Sequence, residues 1–499
     1  MNTRIYTLLG LLLVSLGTIH AATAADCIVP APDVVTAAVL RAHPTTGSDR
    51  VGALKPGQSL PLMASQASWY QTQQPNGTTA FVSKRWTNIA ACPPPPSATP
   101  SPPPPPSPVP TAETTAGPVP LLAKGHSVVW WFVFKFNSNK FPGCGNNQPR
   151  PQTCPFGGAS QTYPDGQQFV FASSESPQLA QGTGCVGTTE QDPVGATYDE
   201  IYNGRFNYIT WNDQFGGDPN VNGAGHSKGI VAWDDSGNAT VMQVTTPGWP
   251  GAGNQAHPRQ TDGNTLGCLI HDNVMFSQHF FALKLTKDDL IKLLRALQNA
   301  SVATAPTNPQ IVSNAGPPDV QTLVTQLGQA SDSATPTLET LSSGVRLISK
   351  PALLNVPPWH LVSSLLGALP LRAATWWVNP DKIPDTTSGT QIDCWNANLS
   401  KPGAVESSAT GIWHGTQFAL TGGSFNGLGN GNHAKVAVSL EPATPLAIFA
   451  DMNQEGALTP ADDATTHCKA HQNGRGGLFF VLQNAALTTS ITALITLTQ

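Results

Sequence analysis

Short apolar runs separated by polar and turn-forming residues dominate the chain, and most have the length of a β-strand rather than of a helix. Many are rich in β-branched and aromatic residues, which favour half-buried or buried strands. The clearest of these runs in the C-terminal part of the chain lie at 168–172, 239–244, 280–285, 345–349 and 477–482. The pattern therefore predicts strands at these positions.

Helical patterns are fewer. Thr286 precedes Asp288 and Asp289 and then the apolar-rich stretch 290–294, a sequence typical of a capped helix start. A second helix is predicted at 318–327. Since strands and helices alternate, we predict an α/β sandwich for the large C-terminal region.

The apolar pattern changes along the chain and predicts its division into regions. Four short apolar segments between turn residues, at 38–41, 48–54, 68–70 and 79–82, predict a small all-β barrel. Residues 93–110 are dominated by proline with serine, alanine and threonine, which predicts a semi-rigid spacer without a core. The predicted regions are a signal peptide at 1–25, the small barrel at 26–92, a Pro-rich linker at 93–118 and one large domain at 119–499.

The N-terminal segment is typical of a secretory signal peptide. Arg4 precedes the apolar run 8–14, and small residues follow it, which places cleavage near Ala24 or Ala25. The apolar run is shorter than the roughly 20 residues that a membrane-spanning helix needs. We therefore expect a soluble exported protein with no membrane attachment, secreted or periplasmic.

Cysteine usage agrees with export. The chain has 8 cysteines, all beyond the predicted signal peptide, which suggests disulfide bonds. Cys27 and Cys92 bracket the small barrel and are expected to pair. The other cysteines leave the connectivity open, with Cys144 and Cys154 the favoured local pair. They are Cys144, Cys154, Cys185, Cys268, Cys394 and Cys468.

The charge balance limits which partners the chain can bind. With 25 Lys and Arg against 30 Asp and Glu the net charge is -5, the opposite of the usual nucleic-acid-binding protein. Protonation of the 12 histidines would reverse its sign. Because histidine titrates near pH 6.5, any nucleic-acid activity should be favoured by acid.

Two segments repeat a pattern that carries chemistry: His226 and Lys228, then His433 and Lys435, each pair followed by an apolar run. Residues at i and i+2 of a strand point to one face, so each pair presents an imidazole beside an ammonium group. Two such pairs in one cleft suit a phosphodiester. One histidine can attack phosphorus, the other can protonate the leaving oxygen, and the lysines can neutralise developing charge.

The order of motifs around these pairs resembles the deoxyribonuclease II family, which has a phospholipase D-like fold. The similar segments lie at 129–135, 225–234, 265–268, 276–277, 451–453 and 475–477. Ala434 stands where the family usually has serine, and neither half has the complete Gly-Ser-x-x-Asn segment of the wider superfamily. The resemblance implies a sandwich of two pseudo-symmetric halves, with one His/Lys pair from each.

The resemblance also implies the activity: a metal-independent acid endonuclease that cleaves DNA through a phosphohistidine and leaves 3′-phosphate ends. His226 is assigned the attack and His433 the proton transfer, although the two roles are exchangeable on sequence alone. Lys228 and Lys435 would hold the phosphate oxygens, with Asn453 as a helper amide. No metal ion or cofactor is expected.

The small barrel resembles a bacterial SH3 domain, with the segment 77–83 similar to the closing segment of that fold. A cell-wall peptide ligand and a simple spacer role are both compatible with this resemblance. Two other functions stay open for the whole chain: a phospholipase D-type enzyme acting on lipid or other phosphodiesters, and a non-catalytic cell-wall-binding protein. The sequence leaves the oligomeric state and the strand preference open.

Three further features have structural explanations that compete with functional ones. Trp130, Trp131, Trp376 and Trp377 are expected in the core rather than stacked on bases. His467 and His471, close to Cys468, are expected in a surface loop stabilised by a disulfide. Arg475 either contacts a phosphate or precedes a tight glycine turn.

Overall fold

The computed structural model describes residues 26–74, 78–92, 117–137, 140–141, 168–187, 189–213, 225–253, 266, 276–302, 310–422, 431–460 and 468–496. The chain divides into two compact units, one up to Glu113 and one from Thr114. The predicted signal peptide, most of the Pro-rich linker, and Cys144, Cys154, Cys268 and His467 lie outside the described residues.

The first unit is an all-β module. Its seven strands form one sheet in the order β3-β2-β6-β5-β4-β1-β7. They are β1 (Asp26–Pro30), β2 (Ala38–Arg41), β3 (Arg50–Leu54), β4 (Leu60–Ser65), β5 (Trp69–Gln73), β6 (Thr79–Ser83) and β7 (Thr87–Ala91). A small core that includes Ile28, Leu40 and Val82 lies inside this module. Cys27 and Cys92 form the predicted disulfide bond.

The second unit contains the remaining strands. The strands of its first half are β8 (Leu121–Ala123), β9 (His126–Ser127), β10 (Trp130–Lys135), β11 (Phe169–Ser173), β12 (Ala180–Gln181), β13 (Asn207–Trp211), β14 (Gly229–Trp233), β15 (Ala239–Val244), β16 (Gln278–Leu285) and β17 (Gln310–Ser313). Those of its second half are β18 (Thr337–Thr340), β19 (Arg346–Lys350), β20 (Leu371–Ala374), β21 (Val405–Ser407), β22 (Thr410–Trp413), β23 (Thr416–Ala419), β24 (Val436–Ser439), β25 (Leu446–Ala450), β26 (Gly477–Gln483) and β27 (Ile495–Thr496).

Five α-helices accompany these strands in the described part of the second unit. They are α1 (Pro193–Tyr202), α2 (Lys287–Asn299), α3 (Pro318–Thr325), α4 (Pro358–Leu365) and α5 (Ala485–Leu494). The capped start predicted at Thr286 is present, because the Thr286 side chain accepts from the Asp289 amide and the Asp289 carboxylate accepts from the Thr286 amide. Helix α3 begins at the predicted position, with a proline at its start.

Two large sheets dominate the second unit. The first has the order β12-β11-β10-β16-β15-β14-β13-β17, and the second has the order β18-β19-β26-β25-β24-β20-β21. Their central five strands follow the same chain order, from β10 and β19 at one side to β13 and β20 at the other. A helix precedes β13 and β20, and another follows β16 and β26. The two halves thus share one arrangement of elements.

The main hydrophobic core joins the facing surfaces of these two sheets. Phe449 of β25 stacks against Phe132 and Phe281 of the first sheet, with ring centroids 4.6 and 4.5 Å apart. Separate clusters lie on the other side of each sheet, one including residues of α1 and the other residues of α4. Trp130, Trp131 and Trp376 are buried, as predicted, but Trp377 is only half-buried.

The predicted α/β class is correct only in part. The described residues are mostly β, and neighbouring strands of both large sheets run antiparallel except for β20 and β21. The short apolar runs indicated the strands correctly, and the two predicted helices are among the five that are described, but a regular alternation of strands with helices is wrong because 20 strands accompany these five helices. Antiparallel neighbours can be connected by tight turns and do not need crossover helices.

A second disulfide bond joins Cys394 to Cys468 in the larger unit. It lies beside the segment that contains His471, whose imidazole is 2.9 Å from the Asp381 carboxylate. Cys185 is also disulfide-bonded. Within the described residues, no helix is long and apolar enough to cross a membrane.

Candidate active site

The two His-x-Lys segments lie immediately before equivalent strands, β14 and β24, and each pairs with the opposite half of the unit. The His226 amide donates to the carbonyl oxygen of Gly476, which precedes β26, at 2.7 Å. The His433 amide donates to the carbonyl oxygen of Ser277, which precedes β16, also at 2.7 Å. Each histidine backbone thus pairs with a segment of the other sheet, and this brings both His/Lys pairs to the seam, the boundary between the two sheets.

The first pair faces a buried carboxylate that follows β13. Lys228 Nζ is 2.6 Å from Asp213 Oδ1, and His226 Nε2 is 3.4 Å from Asp213 Oδ2. Ser227 points to the other side, where its hydroxyl accepts a hydrogen bond from the Trp211 indole. The imidazole and ammonium groups therefore share one face, as the i, i+2 spacing predicts.

The second pair is held by backbone groups. His433 Nδ1 is 2.8 Å from the Thr245 carbonyl oxygen, and Lys435 Nζ donates to the His433 carbonyl oxygen at 2.8 Å. Asp451 lies between the two lysines, with Oδ1 3.5 Å from Lys228 Nζ and 3.9 Å from Lys435 Nζ. The four predicted His and Lys residues thus form one cluster around Asp213 and Asp451.

A third histidine fixes the backbone of the second pair. The Lys435 amide donates to His279 Nδ1 at 3.1 Å, so the remaining ring proton lies on Nε2 and is donated to Gln243 Oε1 at 2.9 Å. The Gln243 amide in turn donates to the Ala450 carbonyl oxygen at 2.9 Å. This chain of hydrogen bonds connects β16, β15 and β25 behind the catalytic candidates.

The shared strand order allows the two half-sites to be compared position by position. The residue that pairs with the start of β14 is Trp211, and the one that pairs with the start of β24 is Ala374. Asp213 follows Trp211 by two residues, as Trp376 follows Ala374. The ring of Trp376 contacts His433 edge to face, with centroids 5.3 Å apart. Asp213 and Trp376 therefore occupy equivalent positions beside His226 and His433.

The two half-sites also differ at a second pair of equivalent positions. Gly476 and Ser277, whose carbonyl oxygens accept from the histidine amides, are preceded in the chain by Arg475 and Phe276. Arg475 Nη2 is 3.3 Å from Asp213 Oδ2, while Phe276 packs edge to face on Trp376 at 5.7 Å. Hence one wall of the site is a charged pair and the other is an aromatic pair.

Buried lysines support both walls. Lys135 and Lys350 are the last residues of the equivalent strands β10 and β19, and both are almost fully buried. Lys135 Nζ donates to the Phe276 carbonyl oxygen. Lys350 Nζ donates to the carbonyl oxygens of Asn473 and Arg475, each at 2.8 Å. Each ammonium group thus anchors the backbone of one wall residue.

The surroundings shift the pKa values of both catalytic histidines downward. Burial, followed by the positive charges of Lys228, Arg475, Lys435 and His433, holds the pKa of His226 well below its usual range. Burial and the lysines also lower the pKa of His433, but the Thr245 carbonyl and the Asp213 carboxylate oppose that shift. Without a bound anion both imidazoles therefore favour the neutral form.

The surroundings also shift the pKa values of the two carboxyl groups, and they do so in opposite directions. Burial alone would raise the pKa of Asp213, but Lys228, Arg475 and Lys435 outweigh it and lower this pKa to about 2. Burial raises the pKa of Asp451 to about 7 against the opposing effect of the two lysines. Burial likewise lowers the pKa of Lys435 to about 7. Asp213 is thus the permanent negative charge of the site.

Asn453 is not joined to the cluster by its side chain. Its amide nitrogen donates to Glu455 Oε2 at 2.9 Å, and its backbone amide lies 3.4 Å from Gln472 Oε1. The role predicted for Asn453 as a phosphate contact therefore has less geometric support than the roles of the two His/Lys pairs. Most of the segment 265–268 lies outside the described residues.

Sequence reasoning missed several residues of this site. Asp213, His279 and Lys350 carry no local motif, since their meaning depends on strands that pair across long stretches of chain. Only the repeated strand and lysine pattern at the ends of β10 and β19 offered a signal. Among the described residues, no group of three or more His, Cys, Asp or Glu side chains is arranged to hold a metal ion.

Comparison with known families identifies two regions of the chain. Residues 121–350 match the family model described as Deoxyribonuclease II, and residues 36–88 match the Bacterial SH3 domain. Both resemblances found in the sequence are thereby confirmed. The first match includes His226 and Lys228, whereas His433 and Lys435 lie beyond it. No curated protein matches the chain.

Proposed function

Because residues 121–350 match the deoxyribonuclease II family, we propose that this protein is an acid endonuclease that hydrolyses DNA with two histidines and no metal ion. The observation that carries the proposal is the convergence of His226, Lys228, His433 and Lys435 around Asp213 and Asp451. The equivalent strand orders of the two sheets support a phospholipase D-like sandwich of two halves, with the site at their seam.

In the proposed first step an imidazole nitrogen of His226 attacks phosphorus and forms an N–P bond. The P–O5′ bond breaks, and His433 transfers its proton to the leaving 5′ oxygen. The low pKa of His226 keeps this imidazole neutral and nucleophilic. His433 receives support for its protonated form from Thr245 and Asp213. In the second step water attacks phosphorus and gives a proton to His433, the N–P bond breaks and releases neutral His226, and the product retains a 3′ phosphate.

The cations supply the electrostatic part of the reaction. Lys228 and Lys435 lie beside the histidines and can stabilise the charge on the non-bridging oxygens of the transition state. Arg475 adds a third positive charge on the His226 side. Bound phosphate brings negative charge to the site, which raises the pKa of both histidines and favours protonation of His433.

We also propose an exported location, since two disulfide bonds and a third bonded cysteine fit an oxidising compartment. The SH3 region is a binding module in this proposal, and a cell-wall peptide is the ligand that its family resemblance suggests. Sedimentation of the protein with purified cell wall tests that ligand.

The nuclease proposal is tested by plasmid cleavage at about pH 5 in excess chelator, below the usual histidine pKa. Wild type is expected to nick the plasmid, while His226→Ala and His433→Ala each lose at least about a hundredfold of the rate. His126→Ala is the matched control, because His126 is an exposed histidine of the same unit paired only with Glu175.

Quenching of the wild-type reaction in alkaline denaturant should trap a phosphorylated histidine, which His226→Ala should lack. Intact plasmid with wild type, or cleavage that survives in both variants, contradicts the proposal. In that case cleavage of a lipid phosphodiester by the same variants becomes the next measurement.

A further inference from the structure

The small all-β unit is the basic part of an acidic chain. Its residues 26–92 contain five basic and three acidic side chains, while the whole chain has a net charge of -5. The basic residues are Arg41, Arg50, Lys55, Lys84 and Arg85, and the acidic ones are Asp26, Asp33 and Asp49. A nuclease substrate carries one negative charge per nucleotide, so this unit offers the attraction that the rest of the chain lacks.

A groove of about 440 Å³ opens on this unit between the segment after β1 and the start of β7. Two arginines and two tryptophans supply its functional walls: Arg41, Arg85, Trp69 and Trp86. None of the described residues that line it is acidic. The groove therefore combines aromatic surface with positive charge, and no acidic side chain among its described lining residues opposes that charge.

The aromatic and cationic groups are accessible and held in place. Trp86 is 42% exposed, although a tryptophan is usually buried in a small core. The Arg85 guanidinium lies over the Trp86 ring at 4.8 Å from its centroid, and the neighbouring Lys84 lies over Tyr70 at 5.0 Å. Arg41 donates to the Ser48 carbonyl oxygen, which fixes its direction at the rim.

We propose that this groove binds single-stranded nucleic acid. The exposed Trp86, with the half-buried Trp69 in the same groove, gives bases a surface on which to stack, and stacking tolerates any base because each has a π face. Arg85 and Arg41 are placed to pair with the phosphates on either side of a stacked base. The two conditions for sequence-independent binding, an aromatic platform and a basic track, are both present.

The single sign of charge distinguishes this ligand from a cell-wall peptide. An SH3 domain docks an extended peptide in an aromatic-lined groove, so a peptide could also use the tryptophans. It would, however, bring fewer negative charges to the two arginines than a polynucleotide, which carries one per nucleotide. A polynucleotide satisfies both the arginines and the tryptophans, and it is also the substrate class proposed for the larger unit.

The test measures binding without cleavage. The full-length protein is titrated at neutral pH and low salt against a fluorescent 12-nucleotide oligo-dT, and gel analysis confirms that the oligonucleotide stays intact. Trp86→Ala is expected to weaken binding about tenfold. Arg85→Glu is expected to weaken it at least as much and to lower the dependence of affinity on salt by about one phosphate contact.

Three variants serve as controls. Lys55→Ala removes a basic residue of the same unit that does not line the groove, and it should bind as wild type does. Trp86→Phe and Arg85→Lys should recover most of the lost affinity, because they retain a ring and a charge. Unaltered near-ultraviolet circular dichroism shows that the exposed substitutions leave the barrel folded.

Wild-type affinity in both Trp86→Ala and Arg85→Glu overturns the inference. So does binding to purified cell wall that depends on Trp86 and that excess oligo-dT does not displace. Either result leaves the nuclease proposal standing, since plasmid cleavage is measured separately with variants of the larger unit.

Discussion

Asp213 is the residue on which the charges of the site depend. Its carboxylate is shared by Lys228, His226 and Arg475, and these contacts come from both halves of the unit. The equivalent position in the other half is Trp376, which carries no charge. Together with the exchange of Arg475 for Phe276, this difference makes the two histidines chemically unequal.

We predict that Asp213→Asn lowers the rate and moves the alkaline limb of the pH profile to lower pH. Asp213 raises the pKa of His433, so its removal makes protonation of that histidine harder. The loss of kcat/KM should exceed about tenfold above pH 5 and shrink as the pH falls. The measurement is the pH dependence of kcat/KM on an oligonucleotide.

Asp319→Asn is the control for this profile, because Asp319 pairs with Lys287 on the surface of the same unit. A uniform loss of rate at every pH in Asp213→Asn would contradict the assignment. It would indicate that Asp213 only maintains the structure.

At the scale of elements, the extended segments before β14 and β24 owe their position to close backbone contacts. Gly225 and Gly476 both approach the carbonyl group of Ala300, the residue that ends helix α2. The Gly225 amide donates to the Ser301 carbonyl oxygen at 2.7 Å. The C-terminal end of α2 thus contacts both the residue before His226 and Gly476, whose carbonyl oxygen accepts from the His226 amide.

We predict that Gly476→Ala damages both stability and activity. A Cβ atom at this position would overlap the Ala300 carbonyl oxygen, so the segment that accepts from His226 must move. The expected cost is about 1–3 kcal/mol of unfolding free energy, with a loss of plasmid cleavage larger than unfolding alone explains. Chemical denaturation and the plasmid assay measure the two effects.

Gly389→Ala is the matched control, since the nearest atom to its added Cβ would be 3.8 Å away. It should leave both measurements unchanged. Full activity in Gly476→Ala would show that the close contact with Ala300 does not position His226.

Local sequence patterns were sufficient for most elements but not for their partners. The run at 239–244 is the strand β15 (Ala239–Val244), and the Thr286 cap begins α2 as predicted. In contrast, nothing near His226 in the sequence points to Gly476, since that contact spans half the large unit. Asp213 and Lys350 were missed for the same reason.

At the scale of the whole molecule, the repeated His-x-Lys pattern pointed to two half-sites but not to the residues that surround them. The repeated His-x-Lys pattern predicted two equivalent strands, and β14 and β24 occupy equivalent places in the two sheets. Which wall residues flank each histidine depends on register and on strand pairing, and these are decided by the packing of entire sheets. The pKa values and the charge of the site therefore depend on how the two sheets of the large unit pack together.

The buried histidines make the stability of that unit depend on pH. His226, His279 and His433 have folded-state pKa values well below 6.5, so below that pH the unfolded chain binds more protons than the folded one. Their contribution to stability is present above pH 6.5 and is lost as the pH falls. The raised pKa of Asp451, about 7, acts in the opposite direction over part of this range.

A bound anion should oppose this loss, because negative charge beside His226 and His433 favours their protonated forms. We predict that inorganic phosphate stabilises the larger unit more at pH 5 than at pH 7.5, with a rise in Tm of about 3 °C at saturating concentration. Thermal unfolding with sodium chloride of equal ionic strength is the reference. The double variant His226→Ala/His433→Ala should lose the difference between the two pH values. An equal phosphate effect at both, or one that persists in the double variant, would place the anion elsewhere and remove the physical basis for an acid-activated site.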